Sequence, residues 1–142
     1  MAFARQAVIA HVVYSPEVLH PVEVGADQET HLVGWLSKRL GASLKVPQLN
    51  ALGYQLVGGR LLPGNRGPVA QFMFQDGNGQ RLTLYVRSGA GDNAETAFRY
   101  TQERGVSVFY WIDGRFGYAL SGEIDKAELL RVARVVYQQL NP

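Results

Sequence analysis

The sequence predicts an α+β domain: one antiparallel sheet of about five to six strands, with helices at both termini and one after the first short strand. Three observations point there. Strand-like segments form one block between helix-like ends, the pattern of helices set against an antiparallel sheet. Asp76-Gly77-Asn78-Gly79 and Asp113-Gly114 each separate two apolar runs, the strongest short-range hairpin signal. Apolar residues recur at helical spacing over 27–40 and 124–140.

Taken in order, the segment from Ala2 to Tyr14 is apolar apart from Arg5, Gln6 and His11, and stops at Ser15-Pro16, where a helix must end. A helix this apolar needs cover nearly all round. Its β-branched second half, Val8 to Val13, also suits a strand. His20 to Val24 reads as a short extended piece. Asp27 is the expected N-cap of a helix closing at Leu40, with Gly41 just beyond and Lys38 and Arg39 in the last turn, where the helix dipole favours cations. Leu32, Val33, Trp35, Leu36 and Leu40 form its apolar stripe.

Pro47 to Gly53 is a connector hooked by Leu49 and Leu52. Tyr54 to Leu62 reads as a strand in which Gly58-Gly59 marks a bulge or a close backbone approach. Pro63 to Pro68 reads as a loop. Val69–Gln75 and Arg81–Arg87 alternate, placing Phe72 and Phe74 on one face and Leu82, Leu84 and Val86 likewise. Ser88 to Asn93 is a loop, and 94–104 suits a short helix or an outer strand, the alternation of Thr96, Phe98, Tyr100 and Gln102 leaning to strand. In the second hairpin, a turn at Asp113-Gly114 pairs Trp111 with Phe116, Phe109 with Tyr118 and Ser107 with Leu120, while Tyr110 lies across Gly117. Both faces are apolar, as in strands covered on two sides. The last helix runs from Ile124 to Leu140, with Ile124, Ala127, Leu130, Val132, Ala133, Val136 and Leu140 as its apolar face.

Composition narrows the function classes. A chain of 142 residues is long enough to bury a sizeable core as one domain, 1–142. With 14 basic and 12 acidic residues the net charge is +2, and no basic cluster marks a nucleic-acid face. The absence of cysteine excludes disulfides, thiolate metal sites and a cysteine nucleophile. No apolar run approaches the roughly 20 residues that span a bilayer, and no secretory leader pattern appears.

The motifs carry little chemistry. His11, His20 and His31 lack the spacing of a zinc site, so no metal is expected. Gly89 to Ala94 matches the G-x-G-x-x-A dinucleotide pattern, and Asp113 stands about 20 positions on, as that pattern asks of its acidic residue. Antiparallel neighbours form no βαβ unit, so no such cofactor is expected. Ser107 lacks the glycine frame of a nucleophile elbow. Glu23, Asp27 and Glu29 are explained by helix capping. Trp35, Trp111, Tyr110 and Tyr118 are the aromatics that would line a pocket if the chain were a stand-alone small-molecule module; large rings ordinarily build cores. No catalytic residue is assigned.

Four phrases together resemble one family: HPVEVGADQETHLVGWLSKRLG at 20–41, GYQLVGGRLLP at 53–63, RLTLYVR at 81–87 and FYWIDGRFGYALSGE at 109–123. They are similar to the extracytoplasmic part of proteobacterial membrane-anchored anti-sigma factors, also called transmembrane transcriptional regulators, over nearly the whole chain. The resemblance implies a non-enzymatic regulatory domain on the periplasmic face of the inner membrane. In that family a separate cytoplasmic segment holds the sigma factor and a single helix spans the membrane. Neither is expected within residues 1–142, so by this resemblance the sigma factor and the membrane would be met only through those parts. The helix within 1–15 is then expected to continue from the span, and its Phe3, Val8 and Val12 to offer an interaction surface, a homodimer contact included.

Overall fold

The computed structural model describes residues 2–64, 67–88, 95–113 and 115–141. Its centre is an antiparallel sheet with helices on both faces. The elements run α1 (Ala2–Tyr14), β1 (Val24–Gly25), α2 (Glu29–Leu40), β2 (Gln55–Gly64), β3 (Gly67–Gln75), β4 (Arg81–Ser88), β5 (Glu95–Glu103), β6 (Val106–Asp113), β7 (Phe116–Gly122) and α3 (Lys126–Leu140). The strand order is β1-β2-β3-β4-β7-β6-β5, and every ladder among the described residues is antiparallel. That is the α+β class expected. Seven strands replace the expected five to six because the short piece at Val24 pairs with β2 and the 95–103 segment is an edge strand.

α1 is helical throughout, so backbone hydrogen bonding overrides the β preference of Val8 to Val13. α2 begins after a 3-10 turn at Ala26–Gln28. Asp27 lies inside that turn, and Gln28 holds the N-cap position without a side-chain cap. Gly41 ends the helix in the left-handed conformation (φ +75°), and its N–H donates to Ser37 O. In β2 the register shifts between Leu56 and Gly58, which confirms the bulge. A Cβ at Gly58 (φ +151°) would strike Val24 O, so β1 pairs there only because glycine leaves room.

The 63–68 loop is shorter than expected. Pro63 pairs with Pro68 and Gly64 with Gly67, leaving 65–66 outside the described residues. The Gly89 to Ala94 motif, with most of the expected 88–93 loop, also lies outside them.

The β6–β7 hairpin forms with a different register. Trp111 pairs with Tyr118, Phe109 with Leu120 and Ser107 with Gly122, so Tyr110 sits opposite Ala119, not Gly117. Asp113 belongs to the strand, and its Oδ1 accepts from the N–H groups of Arg115 (3.0 Å) and Phe116 (2.7 Å). The carboxylate thus moves the turn one residue onward; residue 114 itself lies outside the described set. The slip is by two, so each side chain keeps its expected face.

α3 starts at Lys126, where Asp125 Oδ1 accepts from Glu128 N–H at 2.8 Å. Its buried residues are Leu129, Val132, Ala133 and Val136, whereas Ala127 is exposed.

Candidate functional site

The two faces of the sheet are built from different chemistry. Beneath α2 and α3, Leu32, Leu36, Leu129 and Val132 close over Phe72, Phe74, Leu84 and Trp111. The buried hydroxyl of Ser107 on that face is satisfied, donating to Ile124 O at 2.9 Å and sharing a bond with Tyr100 Oη. The opposite face is covered by α1 alone among the helices, through Phe3, Ala4, Ala7, Val8 and Ala10. Three of those five are alanines, so α1 removes less apolar area than a leucine-faced helix would.

Polar side chains gather on the α1 face. Gln71, Thr83 and Ser121 are buried there, as alternation along β3, β4 and β7 requires, together with His11 of α1. His11 is 0% exposed. Its Nδ1 lies 2.8 Å from Thr83 Oγ1, and its Nε2 lies 3.6 Å from Glu123 Oε1, just beyond the end of β7. Thr83 pairs across the ladder with Ser121. His11 Nε2 and Ser121 Oγ are buried without a hydrogen-bond partner among the described residues. Burial holds the His11 pKa below its ordinary value; the nearby Glu123 carboxylate opposes that shift only in part.

The order hydroxyl, imidazole, carboxylate is that of an activated nucleophile. Thr83 is 1% exposed, however, and α1 lies over it, so no substrate atom reaches the hydroxyl while the helix is seated. With α1 seated, the arrangement faces the helix and not solvent.

The exit from α1 is gripped by two arginines. Arg81 donates through Nη1 to Ser15 O at 2.8 Å and also to Glu17 O, while its Nε donates to Gln75 Oε1. Arg60 donates to His20 O at 2.7 Å and stacks over the Tyr14 ring at 3.8 Å. Between these clamps Val18 and Leu19 project into solvent. Arg81 and Glu123 also line an open cleft of about 580 Å³ with Ser15, Tyr54, Asp76 and Glu128. On the other side of α1, Ile9, Val13, Leu62 and Pro63 border an apolar groove of about 450 Å³.

No family model, curated protein or solved structure matches the chain. Function therefore rests on the site and on the sequence phrases.

The residues singled out from sequence are scattered by the fold. Phe3 and Val8 are buried against the chain's own sheet, because α1 packs on it, and so offer no outside surface; Val12 is 40% exposed, beside Ile9 and Val13. His20 and His31 are exposed, and the described residues hold no cluster of three metal-ligating side chains. His11, one of the three histidines without metal-site spacing, is wholly enclosed because the polar seam lies under the helix that carries it. Trp111 and Tyr118 stack at 5.3 Å under α3, while Tyr110 packs on the α1 face, so the four aromatics do not share one cavity. Asp113 is occupied by the hairpin turn. Sequence reasoning missed Thr83, Ser121 and Glu123. The signal available was one histidine in an apolar helix and two hydroxyls at matching positions of adjacent strands.

Among the described residues no helix is long and apolar enough to cross a membrane.

Proposed function

We propose that the chain is the periplasmic regulatory domain of a proteobacterial membrane-anchored anti-sigma factor, a non-enzymatic part that sets the state in which the whole regulator keeps or releases its sigma factor. The reading rests on the four phrases, and their placement supports it. They fall on α2 with its lead-in, the bulged β2, β4 and the β6–β7 hairpin, all structural elements. In this reading the sigma factor is held by a separate cytoplasmic segment and α1 leads toward the span.

The single observation that carries the mechanism is the seat of α1: one helix, faced largely with small residues, covers a sheet surface whose Gln71 Nε2 and Ser121 Oγ have no hydrogen-bond partner among the described residues. Such an element is released more readily than α2 or α3, and its position is what the domain passes on. Any pairing of two copies through α1 would use Ile9, Val12 and Val13, since Phe3 and Val8 are enclosed.

The test uses the full-length regulator with a sigma-dependent reporter. Ala7→Glu places a carboxylate at a position 0% exposed under α1 and should change reporter output several-fold. Arg134→Glu, on the exposed side of α3, should leave it unchanged. A full-length protein that retains no sigma factor on purification, or a reporter indifferent to Ala7→Glu, overturns the reading.

A further inference from the structure

We infer that His11 is a proton-operated catch that lets α1 leave the sheet as the surroundings turn acidic. This goes beyond the regulatory reading and does not depend on it: it concerns the domain alone, whatever the domain controls.

Geometry carries the inference. The His11 ring is enclosed, its Nδ1 meets Thr83, and its Nε2 has no hydrogen-bond partner among the described residues. A neutral ring with the proton on Nδ1 donates to Thr83 Oγ1 and leaves Nε2 as an unpaired acceptor, a smaller cost than burying a charge. Protonation adds an N–H at Nε2 and a full charge. The carboxylate 3.6 Å away is too distant for a hydrogen bond, and the Glu123 side chain is 61% exposed, so water screens what it offers.

Charged groups from the surrounding elements do not rescue the imidazolium. On β4, Thr83 is flanked along the same face by Arg81 and Tyr85. Arg81 is a cation already bound to the helix exit, and the Tyr85 hydroxyl reaches Gln6 at 3.3 Å. From β7 comes Ser121, from β3 Gln71 and Met73, and from β6 Val106 and Val108, none of them anionic. On α1 itself Arg5 is turned outward to Glu103 of β5 at 3.2 Å. Glu123 is the one carboxylate near the ring among the described residues.

The sign follows from linkage. In the released helix the ring is free to titrate near 6.5, whereas under the helix its pKa is lower. Seating is therefore undiminished above about pH 6.5, weakens as pH falls through that value, and is weakest once the seated ring also takes its proton. Each pH unit in that window shifts the seated-to-released ratio by up to about tenfold. Release of the C-terminal half of α1 would open the Thr83–Ser121 seam and free the Arg81 and Arg60 clamps.

Amide hydrogen exchange, corrected for its intrinsic pH dependence, tests this on the intact domain. Between about pH 7 and 5, α1 amides should lose protection several-fold while those of β3 and β4 hold. Glu123→Gln, at an exposed position, should deepen the acid loss, and His11→Phe should abolish it. Carbon-detected titration of the wild-type ring serves if His11→Phe does not fold, and should give a midpoint below 6.5. A midpoint at or above that value, a parallel loss in α1 and β4, or an acid loss that survives His11→Phe would each overturn the inference.

Discussion

Trp111 and Asn141 are joined across the core: the indole Nε1, on a side chain 0% exposed, donates to Asn141 Oδ1 at 3.2 Å. The amide of Asn141 in turn donates through Nδ2 to Asp113 Oδ2 at 2.6 Å. One residue at the C-cap of α3 thus satisfies the buried indole and anchors the hairpin turn. Asn141→Ala should destabilise the domain by about 1–3 kcal/mol, the range for stranding a buried donor. Asp113→Ala, which removes the acceptor of three N–H bonds, should cost at least as much, by denaturant unfolding. Asp113→Ala within ~0.5 kcal/mol of wild type would refute the turn geometry.

Gly58 ties the bulge to the sheet edge. A side chain there meets Val24 O, Val22 and the Gly25 backbone, at a φ that L-residues rarely adopt. Gly58→Ala should therefore destabilise by more than about 1 kcal/mol and detach β1. Gly34, with open space around its Cβ in mid-helix, should instead gain roughly 0.5–1 kcal/mol as Gly34→Ala. Thermal melts of the two variants should move in opposite directions.

The face of α3 separates two readings of its sequence. Leu129 is 0% exposed within the main core and Ala127 is exposed. Leu129→Ala should cost about 2–5 kcal/mol. Ala127→Ser should stay within about 0.5 kcal/mol, as surface changes do. Equal effects at the two positions would restore the face read from spacing.

These cases show what the sequence made legible. The alternation of Phe72 and Phe74 with Leu82, Leu84 and Val86 predicted the core face of β3 and β4, because a period of two leaves no other choice once one face is buried. Gly41 and Gly58 announced a helix end and a bulge through backbone conformations few other residues tolerate. Register in the β6–β7 hairpin was not legible, since it was decided by where the Asp113 carboxylate finds N–H groups. The α1 seam was hidden for a similar reason: His11, Thr83, Ser121 and Glu123 come from four separated positions, and only the topology β4-β7 under α1 brings them together. His11 stood out in its helix, but burial, which gives it meaning, is a tertiary fact.

The tyrosines supply a check on the sheet's two faces at alkaline pH. Burial pushes the hydroxyl of Tyr118 well above the ordinary range, with the neighbouring Asp113 carboxylate adding to the shift. Burial also raises Tyr85, on the α1 face, although Arg87 pulls the other way. In the unfolded chain both titrate near 10. A folded pKa above the unfolded one means that the native state keeps its proton while the unfolded state loses it. Stability is then undiminished below about pH 10 and falls as pH rises beyond it. Monitored by tyrosinate absorbance, Tyr118 should ionise only as near-ultraviolet circular dichroism is lost. Tyr118→Phe should flatten the alkaline loss of stability and leave the neutral-pH melt within about 1 kcal/mol, as its ring stacking on Trp111 is kept. If Tyr118 and Tyr85 ionise near pH 10 while the native near-ultraviolet signal is kept, they are not enclosed as described.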